Sequence, residues 1–514
     1  MRLKIKKTGK FSKSKQYLRL IRNSTVYETA IMTPITYAKN LSIKLNNKVF
    51  LKREDLQPVF SFKNRGAYNK ISNLSKLQKK RGVITASAGN HAQGVANACK
   101  ELNIPCLIVM PVTTPEIKIK SVLSFGSKIL LHGDNYNLAA KKAQQICKQK
   151  GMEYISAYDD PLTIAGQGTI GKEILDDKNE YDVIFVPVGG GGLLAGVSAW
   201  IAQHNPKVKI YGVEVDDSAC LAEAIKFNKR VKLREVGLFA DGVAVDQIGK
   251  YTFEVIKECV DGVITVSIDE VCAAVKDIFE DTRVLSEPAG ALALAGLKKY
   301  ASKISSKNLL AISSGANINF ERLSYIVERS EVGEKKEKFL SINIPEKPGS
   351  FLKLCRVFGK SQITEFNYRY ADNVLAHVLV GIKVENDDNF KSLKTKLKKS
   401  QFKFSDLTNN LISNDHLRHM VGGHLAPSTK FNERIFRCMF PVKPAALLDF
   451  LKQFGSTWNI SLFHYRNLGS AFANVLIGIQ DDAGKKSTLD SHLSKLDYQF
   501  VEETDNIGFK NFLQ

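Results

Sequence analysis

From about residue 25 to residue 325 the chain alternates short, nearly all-apolar runs with longer stretches of helical periodicity. The clearest strand candidates are 83–86, 106–110, 128–131, 182–188 and 209–214. Strands without polar alternation are covered on both faces, and the helical stretches between them, such as 137–150 and 193–204, are long enough to serve as crossovers. The pattern predicts an α/β fold of parallel sheets flanked by helices. In such sheets ligands sit outside the carboxyl ends of the strands, so chemistry is to be sought where a strand hands over to a helix.

Beyond the charged stretch 331–338, read as a solvated connection, the pattern changes to alternating strands with two helices. This part contains a repeat. Ile344-Pro345-Glu346-Lys347-Pro348-Gly349-Ser350-Phe351-Leu352 returns 96 positions later as Phe440-Pro441-Val442-Lys443-Pro444-Ala445-Ala446-Leu447-Leu448. Residues 363–370 match 460–467, and Leu379-Val380-Gly381-Ile382 matches Leu476-Ile477-Gly478-Ile479, at a spacing of 97. Each copy reads strand, helix, strand, strand, helix, strand, an α+β module of about 70 residues. The expected domains are 1–330, with a basic arm over 1–16, then 339–411 and 434–505.

Lys63 is the first candidate for chemistry. It lies in Ser61-Phe62-Lys63-Asn64-Arg65-Gly66-Ala67, directly after the alternating run 47–54, at a strand-to-helix junction rather than on a solvated helix face. A deprotonated lysine can form a Schiff base with an aldehyde cofactor and then act as a general base, which arginine cannot. Residues 85–94 also follow a strand candidate, and there Ser87, Gly89 and Asn90 offer hydroxyl, amide and backbone N–H groups at a helix start, where an anion fits. Gly189-Gly190-Gly191-Gly192-Leu193 closes a further strand. Successive glycines cost conformational entropy on folding; what they gain is close backbone approach to a phosphate near the positive end of a helix dipole. Neither a Gly-Lys-Ser/Thr sequence nor the dinucleotide spacing follows, so a monophosphate ester fits better than a nucleotide. Near 311–317 a strand ends in small polar residues, of which Ser314 can hydrogen-bond a heteroaromatic nitrogen, and Glu287-Pro288-Ala289-Gly290-Ala291 places an acid before a turn. An aldehyde-trapping lysine, a phosphate cradle and two polar loops in one α/β domain point to pyridoxal 5'-phosphate.

Composition narrows the alternatives. The 514 residues are 44% hydrophobic and 25% charged, ordinary for a globular protein of several domains. A net charge of +22 raises nucleic acid as a partner, but outside the N-terminal arm the lysines are interleaved with acids, so neither nucleic acid nor a membrane is expected. No apolar run of about 18 residues appears, and residues 1–23, basic and acid-free, lack the apolar core of a secretory signal. The eight cysteines show no metal-type spacing and mostly lie in apolar stretches, so reduced, buried thiols in a cytoplasmic protein are expected. His416, His419 and His424 have no cysteine or acid to complete a tetrahedral set, and no metal is expected.

Taken together, the lysine motif, the Ser87-Ala88-Gly89-Asn90-His91 loop and the glycine run resemble the tryptophan-synthase-β-like (fold type II) pyridoxal-phosphate enzymes and, within them, the threonine dehydratases. The repeat resembles the paired ACT-like, ferredoxin-like regulatory domains of the biosynthetic form. This resemblance runs from about residue 17 to the C-terminus, including Met420-Val421-Gly422-Gly423 and the stretch 458–466. It implies that Lys63 anchors the cofactor and removes the substrate's α-proton, with Phe62 beside it. It further implies Asn90 on the ring hydroxyl, Gly189, Gly190, Gly191, Gly192 and Leu193 on the phosphate, Ser314 on the pyridine nitrogen, and Ser87, Ala88, Gly89, Asn90 and His91 around the substrate carboxylate. The implied reaction converts L-threonine to 2-oxobutanoate and ammonia, the first step of isoleucine biosynthesis, with L-serine as an alternative substrate. A homotetramer is implied, inhibited by isoleucine, with valine a candidate second effector. Phe366, Tyr368, Arg369, Phe463, Tyr465 and Arg466 are candidates for the effector site or for packing between the two modules, readings of equal weight.

Overall fold

The computed structural model describes residues 2–5, 12–334, 336–369, 374–408, 410, 432–441, 445–455, 457–466, 472–481, 486–496, 498, 500–506 and 509. The chain forms two compact units, Met1–Gly333 and Glu334–Gln514.

In the first unit a seven-stranded sheet runs in the order β1 (Arg2–Lys4), β10 (Gly262–Val266), β9 (Lys209–Val215), β8 (Val183–Pro187), β11 (Asn308–Ser313), β3 (Lys48–Arg53), β2 (Ile35–Tyr37). The five central strands are parallel and both edges antiparallel. Successive residues of β8 face opposite cores: Ile184 and Val186 pack with the helix Gly192–His204, while Val183 and Phe185 pack with the helix Pro288–Ala301. That double covering is why these strands read as unbroken apolar runs. A second sheet, all parallel, runs β6 (Lys128–Leu131), β5 (Cys106–Met110), β4 (Val83–Ala86), β7 (Glu153–Tyr154). Helices flank it and carry Val95 and Ala143 into its cores.

One expectation fails in an instructive way. The stretch 331–338 is not a solvated connection: the helix Leu323–Gly333 occupies its start, and Glu337 and Lys338 are buried in β12 (Glu337–Pro345). Lys338 is tolerated there because its Nζ reaches Asp387 at 2.9 Å. The basic arm is also structured where described. Arg2–Lys4 adds an edge strand against β10, and the helix Ser12–Arg22 buries Ser14, Tyr17 and Ile21. Its N-terminal N–H groups at Lys13 and Ser14 donate to Glu258 at 3.0 and 3.2 Å, which supplies the acid that the arm itself lacks.

In the second unit each repeat folds as the strand–helix–strand–strand–helix–strand order predicts. β12, β13 (Ile363–Arg369), β14 (Leu375–Lys383) and β15 (Lys403–Asp406) form one half, and β16 (Glu433–Pro441), β17 (Ile460–Arg466), β18 (Phe472–Gln480) and β19 (Phe500–Glu502) the other. The halves join through an antiparallel pairing of β13 with β17, giving one eight-stranded sheet ordered β15-β12-β14-β13-β17-β18-β16-β19. Helices of both repeats share a single core with alternate strand residues such as Val378, Val380, Val475 and Ile477.

Candidate active site

Lys63 is the first residue of the helix Lys63–Ser72. The turn before it is stitched to the end of β11: Phe62 N donates to Ser314 O (3.2 Å), Ala316 N to Phe60 O (2.9 Å), and Ser61 bridges to Gly315. Behind the lysine, Arg65 is fully buried and is held by Glu54 (2.8 Å) and Glu173 (2.5 Å), with Lys52 reaching Glu173 at 2.5 Å. Two cations and two carboxylates thus satisfy one another in the interior and fix the helix start, since such a cluster is stable only when every charge is paired. Gly94 and Gly66 admit the neighbouring helices: a Cβ on Gly94 would lie 3.0 Å from the Lys63 carbonyl group, and one on Gly66 would lie 2.3 Å from the Gln167 amide.

Lys63 Nζ donates to Ala157 O at 2.9 Å. Enclosure by the protein pushes its pKa down to about 8, with the Glu287 carboxylate pulling the other way. The segment carrying Ala157 also meets the glycine run. A Cβ on Gly190 would fall 2.2 Å from the Tyr158 ring, and one on Gly189 would lie 2.9 Å from Val243 Cα. Gly191 has φ of +89°, and Gly190 O accepts from Thr252 Oγ1 at 2.8 Å. The helix Gly192–His204 begins here without a side-chain cap, leaving its first N–H groups for a ligand.

Asn90 is clamped. Its Nδ2 donates to Glu287 Oε1 at 2.6 Å and its Oδ1 accepts from Asn317 Nδ2 at 2.7 Å, which leaves its second N–H and remaining lone pair for another partner. Burial, together with Asp241, pushes Glu287 up to about 7, against the pull of Asn90 and Lys118. His91 lies 3.0 Å by Nε2 from Ile155 O; burial and the nearby Lys63 push it down to about 3, so it is a neutral ring donating to that carbonyl. Gly89 faces open space where a Cβ would stand, and its N–H donates to Ser87 Oγ at 3.3 Å. Ser314 is buried with its hydroxyl 3.3 Å from Ala289 O, and the neighbouring Ser313 hydroxyl is buried with no partner.

These groups suit pyridoxal phosphate: an amine of lowered pKa for its aldehyde, an uncapped helix start for its phosphate, an asparagine amide for its hydroxyl and a neutral hydroxyl for its ring nitrogen. Hydrogen bonds link Asn90, Glu287 and Asn317, a backbone hydrogen bond ties Phe62 to Ser314, and the Lys63 side-chain amine reaches the Ala157–Tyr158 segment beside the glycine run. Tyr158, Val243 and the Lys118–Asp241 ion pair escaped the reading because no local motif marks them; they arrive by long-range packing. Glu287 was visible only as an acid before a turn.

In the second unit Phe366 pairs with Tyr465 and Tyr368 with Phe463 across β13 and β17, all four buried. Arg369 and Arg466 pair by backbone with Leu462 and Glu365; their side chains lie outside the described residues, as do His416, His419 and His424. Among the described residues no cluster of three His, Cys, Asp or Glu could hold a metal. Cys147 is half-buried, the other cysteines are buried, and none of them forms a disulfide.

Residues 26–315 match the family model for pyridoxal-phosphate dependent enzymes. Residues 328–417 and 424–513 each match the C-terminal regulatory domain of threonine dehydratase. The chain is 47% identical over 501 residues to a biosynthetic L-threonine dehydratase of Pasteurella multocida, and 45% identical over 501 residues to that of Escherichia coli, covering 97% of both partners in each case. Among solved structures, the processed form of threonine deaminase isoform 2 from Solanum lycopersicum superposes with a TM-score of 0.63 at 45% identity, covering 64% of this chain and 97% of that one.

Proposed function

Because the chain belongs to the pyridoxal-phosphate-dependent enzyme family and carries the C-terminal regulatory domain of threonine dehydratase, we propose that it converts L-threonine to 2-oxobutanoate and ammonia under feedback control by isoleucine. The observation that carries this reading is Lys63, a half-buried amine of lowered pKa beside a glycine-lined, uncapped helix start.

The proposed roles are those that the family resemblance implies, and the geometry of the site supports them. Lys63 holds the cofactor and takes the α-proton at Nζ. Gly189 to Leu193 bind the phosphate through backbone N–H groups, Asn90 holds the ring hydroxyl, and Phe62 lies beside the ring. The turn from Ser87 through Ala88, Gly89 and Asn90 to His91 receives the substrate carboxylate at the start of the helix Asn90–Glu101. The bound cofactor supplies an electron sink for the charge left when the α-proton departs. Ser314, being neutral, cannot keep the ring nitrogen protonated as a carboxylate would, and a weaker sink favours prompt loss of the β-hydroxyl over side reactions.

The reading places chemistry in 1–330 and control in 339–411 and 434–505, in a cytoplasmic homotetramer with serine as an alternative substrate and valine as a candidate second effector. No described helix is long and apolar enough to cross a membrane. A coupled assay for 2-oxobutanoate from threonine, with and without isoleucine, tests it. Greater turnover of serine than of threonine would overturn the substrate, and indifference to isoleucine would overturn the control.

A further inference from the structure

The side-chain amide of Asn90 has two orientations of nearly equal shape, and only one suits the ring oxygen proposed to meet it. Offered an N–H, that oxygen is stabilised in its ionised form; offered the amide oxygen's lone pair, it is destabilised. A neighbour must choose between the two orientations, and the hydrogen bonds around Asn90 show which neighbour does.

Asn317 lies just beyond the end of β11. Its Nδ2 donates to Val59 O at 2.8 Å and to Asn90 Oδ1 at 2.7 Å. A backbone carbonyl only accepts, and Val59 is fully buried, so the Asn317 amide must turn its nitrogen toward it. Both hydrogens of that nitrogen are then used, and the second one holds the Asn90 oxygen. The Asn90 nitrogen is thereby turned to Glu287, to which it donates at 2.6 Å. The backbone N–H of Asn317 donates to the same Glu287 carboxyl group, which closes a ring of three residues whose hydrogen bonds all run toward the acid. Two glycines lie against the Asn90–Glu287 contact. A Cβ on Gly315 would stand 2.5 Å from Glu287 Oε1 and 3.3 Å from Asn90 Nδ2, and one on Gly242 would stand 3.5 and 3.7 Å from the same atoms.

We infer that Asn317 is a positioning residue for the proposed reaction: by holding the Asn90 oxygen it keeps an Asn90 N–H, and not the amide oxygen, toward the cofactor's ring oxygen, and so favours that oxygen's ionised form. The bonds begin at Val59 O, in the segment that leads into Lys63, so the residue that orients Asn90 is itself anchored beside the lysine turn. Ser314 gives the ring nitrogen only a neutral partner, which leaves the ring oxygen as the end of the cofactor where a charge-assisted hydrogen bond can form. This inference rests on the proposed contact of Asn90 with the ring hydroxyl and names what orients it.

A pH titration of the holoenzyme's absorbance, from about pH 6 to pH 9, tests it, because the bound cofactor absorbs at different wavelengths with its ring oxygen ionised and neutral. Asn317→Leu keeps the volume, adds no charge and removes the donors; it should lower the ratio of ionised to neutral form about tenfold or more, and Asn317→Ala should act in the same direction. In an Asn90→Ala background, where the ratio is already lowered, Asn317→Leu should change it by less than about twofold, since it acts only through Asn90. Asn319→Ala, in the same loop, should leave it unaltered. Equilibrium dialysis of pyridoxal phosphate gives the same comparison in dissociation constants for a variant too weakly loaded for spectroscopy. Asn317 variants that lose stability but keep the ratio of the unaltered protein, or Asn90 and Asn317 effects that simply multiply, would overturn the inference while leaving the Asn90 contact standing. An unchanged ratio in Asn90→Ala itself would overturn that contact and the inference with it.

Discussion

Glu287→Gln should stabilise the cofactor-free protein above pH 7 and leave it nearly unchanged at pH 5. The carboxyl is enclosed, and burial first and Asp241 second push it from 4.5 up to about 7. A group whose folded pKa is raised stabilises the fold fully below its unfolded pKa and loses that contribution as pH rises through its folded pKa. Between 4.5 and about 7 the folded chain therefore holds a proton that the unfolded chain has already released. At 1.36 kcal/mol per pKa unit, the ionised carboxylate costs about 3 kcal/mol by pH 8. Glutamine keeps an oxygen for Asn90 Nδ2, now 2.6 Å from Glu287 Oε1, and removes the charge. Urea unfolding of both proteins at pH 5, 6, 7 and 8 should give curves that coincide within about 1 kcal/mol at the acid end and separate toward pH 8. The same change removes the one group that pulls the Lys63 pKa upward, so the variant should capture pyridoxal phosphate faster at pH 7. A loss of stability equal at every pH would refute the reasoning, because it would make Glu287 a packing group with no ionisation of its own.

Lys63→Ala should abolish turnover and the cofactor's protein-bound visible absorbance; near-normal turnover would remove the lysine from the chemistry. Ser314→Asp should strengthen the electron sink, slow threonine elimination and increase side products, read by product analysis; an unchanged rate and product ratio would displace Ser314 from the ring nitrogen. Gly190→Ala sets a methyl 2.2 Å from the Tyr158 ring and should cost about 1–3 kcal/mol with weaker cofactor retention, measured by unfolding and by dialysis. Glu173→Gln leaves Arg65 and Lys52 sharing one carboxylate, Glu54, and should lower stability by about 3–5 kcal/mol in the same unfolding assay.

The parts of this protein that were legible in sequence are those whose cause is local. Unbroken apolar strands report covering on both faces, and the glycine run reports a backbone that must come close, so the sheets and the closely packed glycine turn could be read from spacing alone. Burial of Lys52, Arg65, Glu54 and Glu173 could not, because each looks like a surface charge until residues 121 and 108 positions apart are brought together. Glu337 and Lys338 misled for the same reason. A charged residue in a strand is solvated by default and becomes a core residue only when a distant partner such as Asp387 arrives. The internal repeat predicted two modules but not their joining by β13 and β17, since an exposed strand edge carries no mark of what will pair with it.

Electrostatics around Lys63 give the site one further property. His91 is held neutral near pH 7 by burial and by the lysine itself, and Tyr158 is pushed well above its usual value by burial, so neither titrates with the chemistry. Lys63, lowered to about 8, and Glu287, raised to about 7, remain as the groups that change charge near neutrality, and each attracts the charged form of the other. Above pH 8 the amine is free while Glu287 is ionised; below pH 7 the amine is protonated and cannot accept the α-proton. Capture of the cofactor by the free protein should therefore rise with pH through about 8, the lysine's own titration, and Glu287 is the group that sets how far above neutrality that rise is held.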